Sequence, residues 1–304
     1  MKPIWLVEDF RGNRQFLGIK MNNPKWIIEN FAGDNGYEEL IEEVKRQGYK
    51  VVVLDITNHF ELKPNIVQPN ECAIFQGSIQ LFRKLKAELE AMPLGWMTDS
   101  HYLCSKYYPH FQKYLFNDKH VLTSVANLKH NKWWFYGSFA KEAVIFVRPD
   151  GGDKLFTGRL LDLQDFDKFW EDDTACGSKN DDLVVVSTPK NIRGEWRYIC
   201  DAQKNILGTS LYKYNDQRTY IPSAPEKATA LVKEVLEVGW YPDPVFTIDI
   251  CEAMDGTYWL LEINSFTSAG TYAAKKEMIV KRVSEIAVEE WTANKKIHNI
   301  CLVG

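Results

Sequence analysis

One segment, Val245–Asn264, constrains the fold of this chain more than any other. It contains two stretches of strand-forming residues, Val245–Glu252 and Tyr258–Asn264, on either side of Asp255-Gly256. An Asp-Gly pair between two such stretches is typical of a β-hairpin with a two-residue type I′ turn. We therefore expect two neighbouring antiparallel strands here, with their pairing register fixed by the turn.

The register of this predicted hairpin determines where its acidic residues lie. With a two-residue loop, Asp249 lies directly opposite Glu262, and Asn264 follows on the same face. A slip of one residue would turn the carboxylates towards the core, so the register is well determined. The opposite face is then entirely apolar and consists of Phe246, Ile248, Ile250, Trp259, Leu261 and Ile263.

Two opposed carboxylates on a hairpin require a compensating positive charge. Side chains directly opposite each other have Cβ atoms about 5 Å apart, and like charges at that distance destabilise a sheet. Two carboxylates and an amide are hard oxygen ligands of the kind that hold Mg²⁺ together with substrate phosphates. We interpret Asp249, Glu262 and Asn264 as a magnesium site. The alternative is that both acids are merely solvated on an exposed face.

A second candidate segment lies earlier in the chain. A strand-like stretch ends in Arg148-Pro149 and is followed by Gly151-Gly152, Lys154 and another strand-like stretch. Glycines let backbone N–H groups approach phosphate oxygens, and the two basic side chains would add positive charge. The segment matches neither a Walker loop nor a GxGxxG loop. Alone it is a weak indication, since many surface hairpins contain glycine and lysine.

Residues 1–125 alternate strand-like and helix-like stretches. Tyr49–Leu54 is almost entirely apolar, as expected for a parallel strand that is buried on both faces. The alternation predicts a small doubly wound α/β lobe. Its other predicted elements are the strands Ile4–Val7 and Cys72–Phe75, the helix Tyr37–Gln47 and a helix that opens at Gly77-Ser78.

From Ala143 onwards the predicted strands follow one another with shorter connections and fewer helices, which predicts an α+β lobe. The polar segments Asp172–Asp182 and Asn215–Pro225 are expected to form loops. The predicted elements are the strands Ala143–Arg148, Leu155–Leu161 and Leu183–Ser187, the hairpin Arg197–Ala202 with Ile206–Tyr212, and the helices Lys227–Val238 and Lys275–Asn294.

Composition excludes several classes of protein. The formal net charge of −4 argues against a protein that coats nucleic acid through a basic face. The apolar runs fall far short of the ~20 residues of a membrane-spanning helix, and the first of them is too short for a signal peptide. The six cysteines include no CxxC pair, which is typical of free thiols in a reducing compartment. We expect a cytoplasmic protein without a membrane partner.

Over residues from about 100 to 290 the chain resembles the ATP-grasp ligases. Three features carry the resemblance, and they occur in the same order as in that family: a strand that ends in a basic residue plus Pro, a glycine turn, and the Asp…Glu-x-Asn hairpin. The resemblance is closest to a little-characterised clade of short ATP-grasp proteins common in phages and bacteria. It depends on Arg148-Pro149 in place of Lys-Pro, on the segment Gly194–Arg197, and on residues 264–272.

The resemblance implies a fold class and an activity. It implies a Rossmann-like lobe (the domain that usually precedes the ATP-grasp domain) over residues 1–125, and an ATP-grasp domain of two α+β subdomains over residues 126–188 and 189–304. ATP and Mg²⁺ would be the cofactors. ATP would phosphorylate a small-molecule or peptide carboxylate, and an amine acceptor would then attack the acyl phosphate. The resemblance leaves a homodimer open.

The resemblance also implies roles on the nucleotide side. Asp249, Glu262 and Asn264 would hold Mg²⁺ on the phosphates. Arg148 matches the phosphate-binding lysine of the family, and Lys154 lies in the loop that covers the phosphates. The remaining nucleotide-side residues are Lys106 (with Lys113 and Lys141 as competing candidates), Val186 and Ser187 before the linker that reads adenine, and Glu195 near the ribose.

The acceptor side departs from the family pattern. Many relatives carry Arg two residues before the metal-binding Asp, and here that residue is Thr247. Arg197 is the expected substitute and, with Arg148, the expected catalytic residue. The family's Pro-Gly after the Asn is replaced by Ser265–Gly270. The expected substrate-binding residues are Arg193, Arg218, Ser268, Gly270 and Tyr272, although a plain loop before the final helix would also fit this segment.

Three functions fit this pattern. The first is an ATP-dependent carboxylate–amine ligase, which the opposed acids favour, because a purely structural module does not need them. The second is a nucleotide-binding regulatory module on an inactive ATP-grasp fold. The third is a kinase-like ATP-grasp enzyme that forms no amide.

Overall fold

A computed structural model describes residues 6–8, 14–16, 23–30, 35–55, 66–68, 71–89, 93–152, 156–171 and 178–301. Their strands form four sheets. The strands are β1 (Leu6–Glu8), β2 (Arg14–Phe16), β3 (Lys25–Asn30), β4 (Lys50–Asp55), β5 (Ala73–Gln76), β6 (His120–Ser124), β7 (Val144–Pro149), β8 (Arg159–Asp162), β9 (Leu183–Ser187), β10 (Ile192–Asp201), β11 (Ile206–Tyr214), β12 (Gln217–Ile221), β13 (Val245–Ala253) and β14 (Tyr258–Ser265). The helices are α1 (Tyr37–Arg46), α2 (Ile79–Glu88), α3 (Cys104–Phe111), α4 (Val125–His130), α5 (Lys132–Phe139), α6 (Phe166–Glu171), α7 (Glu226–Glu237) and α8 (Lys276–Cys301).

The N-terminal part contains a parallel sheet with strand order β4-β3-β5. Helix α1 shares a core with Trp26 and Ile28 of β3, whereas α2 shares a core with Ile27, so the two helices cover opposite faces of the sheet. The mixed α/β expectation is therefore confirmed here. The expectation that the strand at Tyr49–Leu54 is buried on both faces is wrong, because β4 is an edge strand in which Val53 is 42% exposed.

The central strand of this sheet, β3, was not predicted. Trp26, Ile27, Ile28 and Glu29 are all buried, so the strand shows no alternation of apolar and polar residues. A short unalternating run next to Pro24 gives no periodic signal. Strands β1 and β2 form a separate antiparallel pair that overlaps the predicted first strand.

The four-stranded sheet is antiparallel, with strand order β6-β9-β7-β8. Ile145 and Val147 of β7 pack against α4, α5 and α6 on one face. Arg148 follows Val147 in the strand, so its side chain lies on the opposite face. The predicted strand Leu183–Ser187 is confirmed as β9. Of the predicted strand Leu155–Leu161, only the end forms β8, and Leu155 lies outside the described residues.

The five-stranded sheet is antiparallel, with strand order β12-β11-β10-β13-β14. Helices α3 and α7 cover one of its faces, and α8 packs between the sheet and α1. Both predicted hairpins are confirmed as pairs of antiparallel strands. The expectation of a loop over Asn215–Pro225 is wrong for Gln217–Ile221, which forms β12. Asn215 and Asp216 both have positive φ (46° and 61°) and make the two-residue turn that joins β11 to β12.

The turn expected at Asp255-Gly256 has a different form. Ala253 and Thr257 close the loop through a backbone hydrogen bond of 2.8 Å, so Met254 belongs to the loop as well. A β-bulge follows at Leu261, between the pairs Asp249–Glu262 and Ile250–Leu260. The expected apolar face is therefore wrong at Trp259 and Leu261: Leu260 is the residue that is fully buried in the core.

No helix in the described ranges is both long enough and apolar enough to cross a bilayer. The division at residues 125 and 188 stays a prediction, as does the Rossmann-like character of the N-terminal lobe.

Candidate active site

The carboxylates of β13 and β14 meet in the expected register. Asp249 is directly opposite Glu262, and Asn264 is opposite Thr247. The longer loop and the bulge at Leu261 each shift the pairing by one residue, and the two shifts cancel before Asp249. The prediction of this register is confirmed, although the predicted turn is wrong.

Arg197 neutralises the more deeply buried of the two acids. It lies directly opposite Asp249 on β10. Its Nε and Nη2 donate to the two oxygens of Asp249 at 2.8 and 2.6 Å, the bidentate geometry of a strong Arg–carboxylate pair. Its Nη1 donates to the carbonyl of Gly270 at 3.3 Å. Arg197 thus lies beside Asp249, as expected of the residue that would substitute for an arginine at Thr247.

Arg148 reaches the second acid from the other sheet. Its Nη2 lies 3.4 Å from Oε2 of Glu262. The buried Cys104, Tyr107 and Tyr108 of α3 lie near the guanidinium. This ion pair connects the four-stranded sheet with the five-stranded sheet.

Asn264 completes the group of oxygen-bearing side chains. Its Nδ2 donates to Oε1 of Glu262 at 2.8 Å and lies 3.5 Å from Oδ2 of Asp249. Among the described residues no group of three His, Cys, Asp or Glu side chains could hold a metal ion. A metal site here would therefore use the amide oxygen of Asn264 as its third protein ligand. Two carboxylates and an amide fit Mg²⁺, a hard cation that keeps several non-protein ligands.

The two carboxyl groups differ in their electrostatics. Burial raises the pKa of Asp249 to about 7, although Arg197 acts in the opposite direction. Burial also disfavours the charge on Glu262, but Arg148 and Arg197 outweigh it and lower the pKa of that carboxyl. A further positive charge beside the two carboxyl groups would lower the pKa of both.

The predicted phosphate-side lysines are only partly described. Lys106 is exposed in the first turn of α3. That turn is fixed to the end of β7, because the backbone N–H and the hydroxyl of Ser105 donate to Asp150 at 2.6 and 2.7 Å. Of the competing residues, Lys113 lies over the Tyr114 ring at 4.5 Å and Lys141 is exposed. Lys154 lies outside the described residues.

The residues predicted near the nucleoside occupy different environments. Val186 is completely buried in the core of the four-stranded sheet, between paired neighbours on both sides. The Ser187 hydroxyl donates to Asn117 at 3.2 Å. Glu195 accepts a hydrogen bond from the Tyr212 hydroxyl at 2.8 Å. Only Glu195 of these three lies on the face of the five-stranded sheet that carries Arg197, two residues further along β10.

The two predicted substrate arginines lie away from Asp249 and Glu262. Arg193 binds Glu252 at 3.2 Å and the carbonyl of Met254 at 2.7 Å, at the turn end of the hairpin. Arg218 is exposed on β12, the edge strand furthest from β14 in the sheet order. The structure therefore brings Arg197 and Arg148 to the acids but leaves the other two arginines apart from them.

The segment of residues 265–274, which begins with the last residue of β14, is called the acceptor loop below. Its residue Ser268 ends a short 3₁₀ turn and is half-buried, and its Gly270 accepts from Arg197. The Tyr272 ring stacks on Tyr212 with centroids 5.1 Å apart. Tyr212 and Tyr220, two residues of this site, were not identified from the sequence. The signal was the cluster of tyrosines around the turn between β11 and β12, which the expectation of a loop hid.

A family model matches more than half of the chain. The model described as "ATP-grasp domain, R2K clade family 3" matches residues 92–283. None of the curated proteins matches the chain by sequence.

Solved structures of ATP-grasp proteins share the fold over most of their length. D-cycloserine synthetase DcsG is 13% identical, with a TM-score of 0.59, over 86% of this chain and 99% of that chain. A RimK domain ATP-grasp protein from Sphaerobacter thermophilus DSM 20745 is 14% identical, with a TM-score of 0.57, over 85% and 98%. D-alanyl-alanine synthetase A from Vibrio cholerae O1 biovar eltor is 13% identical, with a TM-score of 0.55, over 90% and 98%. At such low identities the likeness concerns the fold.

Proposed function

The chain belongs to the ATP-grasp superfamily, in R2K clade family 3, and from that premise we propose that it is an ATP- and Mg²⁺-dependent carboxylate–amine ligase. One observation carries the proposal. Asp249, Glu262 and Asn264 form a connected group of oxygen ligands, and Arg148 faces that group from the opposite sheet. A structural module would gain nothing from two opposed acids, which destabilise a hairpin.

The proposed reaction has two steps. An oxygen of the substrate carboxylate attacks the γ-phosphorus of ATP, the bond to the bridging oxygen breaks, and ADP leaves. The amine then attacks the acyl carbon, inorganic phosphate leaves with its oxygen, and the amine loses a proton. Each amide formed consumes one ATP, which is converted to ADP and phosphate.

The roles of the residues follow from their positions. Asp249, Glu262 and Asn264 would hold Mg²⁺, which when bound neutralises phosphate charge. Arg148 reaches Glu262 from the four-stranded sheet and would bind the transferred phosphoryl group from that side, which is the electrostatic positioning that phosphoryl transfer requires. Arg197, fixed on Asp249, would stabilise the negative charge that develops on the acyl phosphate.

The remaining assignments are part of the same proposal. Lys106 and Lys154 would contact phosphates, Glu195 the ribose, and the segment after Ser187 the adenine. Val186 would contribute only as the strand leading into that segment, because its side chain is buried in the core. The acceptor side would consist of Ser268, Gly270 and Tyr272 in the acceptor loop, with Arg218 and Arg193 further out. The substrates would be a small-molecule or peptide carboxylate and an amine.

The test is a measurement of ADP and AMP release from Mg-ATP over a panel of amino acids, amines and peptides. The proposal expects ADP, phosphate and an amide product, with a rate that depends on both a carboxylate and an amine. ADP formed with a phosphorylated product and no dependence on an amine would instead support the kinase-like reaction. Tight binding of Mg-ATP without turnover on any substrate would support the regulatory module.

A further inference from the structure

Three tyrosines from different parts of the chain form one stack beside the candidate active site. The Tyr272 ring lies between Tyr212 and Tyr220, with centroids 5.1 and 5.5 Å away and ring planes inclined by 21° and 19°. These three rings are called the tyrosine stack. Tyr212 belongs to β11, Tyr220 to β12 and Tyr272 to the acceptor loop, so the stack joins the edge of the five-stranded sheet to the loop that follows the metal-binding strand.

The tyrosine stack covers the guanidinium of Arg197. The Cζ of Arg197 lies 5.5 Å from the Tyr212 centroid and 5.1 Å from the Tyr272 centroid. Both rings are within the distance at which an aromatic face attracts an arginine. The nitrogens of Arg197 are directed at Asp249 and Gly270, so the two rings restrict the side chain in the direction that its hydrogen bonds leave open.

The backbone of Tyr272 has a strained conformation. Its φ is +44°, in the left-handed region that bulky residues rarely adopt. The conformation is held by its N–H, which donates to the carbonyl of Asn35 at 3.0 Å, and by its carbonyl, which accepts from the buried Lys276 ammonium. Strained residues persist where the surrounding structure determines them, and they cluster at functional sites.

We propose that Tyr272 is a positioning residue, whose ring fixes Arg197 on Asp249 so that the guanidinium is aligned for the acyl-phosphate step. This inference deepens the proposed ligase function and rests on it for the catalytic consequence. An arginine supplied by a neighbouring strand reaches Asp249 through a long side chain with several rotatable bonds. Rings packed on its face reduce the number of conformations that compete with the productive one.

Four variants separate positioning from stability. Tyr272→Phe keeps the ring that stacks on Tyr212 and lies beside Arg197, and it removes only the hydroxyl. Tyr272→Ala removes the ring and keeps the backbone strain. Tyr272→Gly removes the ring and relieves the strain, because glycine adopts positive φ readily. The matched control, Tyr220→Ala, removes the outer ring of the stack but leaves both rings that contact Arg197.

Two readouts are needed. The first is the turnover of Mg-ATP to ADP, with the amine and carboxylate that give the highest rate in the parent protein. The second is the ¹⁵N NMR signal of the Arg197 Nε–H, assigned with Arg197→Lys, which reports the hydrogen bond to Asp249 without any substrate. We expect Tyr272→Ala and Tyr272→Gly to lose about 10- to 100-fold in kcat with little change in KM for Mg-ATP, as expected for a misaligned group. Both should lose the slowly exchanging Nε–H signal, while Tyr272→Phe keeps that signal and Tyr220→Ala keeps both the signal and the parent kcat.

The outcomes are distinct. If the Gly variant melts at or above the temperature of the Ala variant and is equally inactive, a merely stabilising role is excluded. If the Ala and Gly variants keep the Arg197 signal and the parent kcat, the inference is overturned. If the parent protein shows the signal, the Ala variant loses it, and no amine or carboxylate supports ADP release, the positioning of Arg197 stands and the ligase function fails.

Discussion

The two ends of strand β14 are held in place in different ways. At the turn end, the positions of Asp249 and Glu262 depend on the backbone hydrogen bonds between β13 and β14. These residues are therefore fixed by segments that are close in the sequence. At the other end, the acceptor loop depends on distant residues. Gln76 donates to the carbonyls of Phe266 and Ala269 at 2.9 and 2.6 Å, and the carbonyl of Asn35 accepts from two loop N–H groups.

This difference separates two parts of the chemistry. Asp249, Glu262 and Asn264 lie on a pair of antiparallel strands, where the register, with its bulge at Leu261, determines which side chains meet. The shape of the acceptor side depends on how the N-terminal lobe contacts the loop, through residues such as Trp96, whose N–H donates to the Thr267 hydroxyl at 2.8 Å. Changes in the N-terminal lobe should therefore alter the acceptor side first, while changes in the hairpin should alter the handling of Mg-ATP.

The largest expected effect concerns the buried ion pair on the sheet side. Arg197→Ala leaves Asp249 buried without its cation, which typically costs about 3–5 kcal/mol of unfolding free energy. The matched control is Arg193→Ala, which breaks a partly exposed pair with Glu252 and should cost only about 0–1 kcal/mol. Urea unfolding of both variants measures the difference. Equal losses of unfolding free energy in the two variants would show that the Arg197–Asp249 pair does not hold the hairpin in place.

The next effect concerns the contact between the acceptor loop and the N-terminal lobe. A Cβ on Gly36 would lie 2.2 Å from the carbonyl oxygen of Tyr272, and the residue has a φ of +77°. Gly36→Ala should therefore cost about 2–4 kcal/mol, the sum of overpacking and an unfavourable φ. Gly48→Ala has the same kind of φ (+79°) and open space around it, so it should cost only about 1 kcal/mol. Similar unfolding free energies for the two variants would contradict the account of this contact.

The same difference between the hairpin and the acceptor loop decides what could be predicted from the sequence. The opposition of Asp249 and Glu262 was predictable, because alternation and a turn signal determine a register. The turn itself was predicted wrongly, since an Asp-Gly pair also fits a longer loop in which Gly256 has a φ of +81°. That error left the register intact only because the bulge at Leu261 compensates for it.

The acceptor side could not be predicted in the same way. Nothing local in residues 265–274 indicates that Asn35 fixes the backbone of Tyr272, or that Tyr212 and Tyr220 enclose its ring. Such contacts between distant segments leave no periodic pattern in one sequence. The choice of Arg193 among the substrate residues shows the same limit, because its partners Glu252 and Met254 became evident only from the pairing of β10 with β13.

A smaller effect tests the role of Arg148, which connects the two sheets. Arg148→Ala should weaken binding of a non-hydrolysable ATP analogue by about 1.5–3 kcal/mol, the range for hydrogen bonds to charged groups. Arg159→Ala is the control, because that residue lies on the neighbouring strand over the Phe169 ring, on the helix side of the sheet. Isothermal titration calorimetry measures both. Unchanged affinity in the Arg148 variant would make the pair with Glu262 purely structural.

The smallest expected effect is a pH dependence that arises beneath the acceptor loop. Burial lowers the pKa of Lys276 to about 8, while in the unfolded chain it is near 10.5. The unfolded state therefore binds more protons between those values, and the contribution of Lys276 to stability rises with pH across that window. Relative to Lys276→Met, the parent protein should gain on the order of 1.5 kcal/mol between pH 8 and 9.5. A difference between the two proteins that does not change with pH, measured by urea unfolding, would rule out a depressed pKa.

The most direct test of the central claim is the Mg²⁺ dependence of nucleotide binding in Glu262→Gln. Calorimetric titration with a non-hydrolysable ATP analogue, with and without Mg²⁺, compares this variant with the parent protein and with Glu277→Gln, which changes a carboxylate that is 74% exposed on α8. We predict that Mg²⁺ tightens nucleotide binding more than about tenfold in the parent protein and in the control, and that it has almost no effect in Glu262→Gln. The melting temperature of Glu262→Gln should stay close to that of the parent protein. An unchanged Mg²⁺ dependence in folded Glu262→Gln would contradict the assignment of Asp249, Glu262 and Asn264 as the metal site.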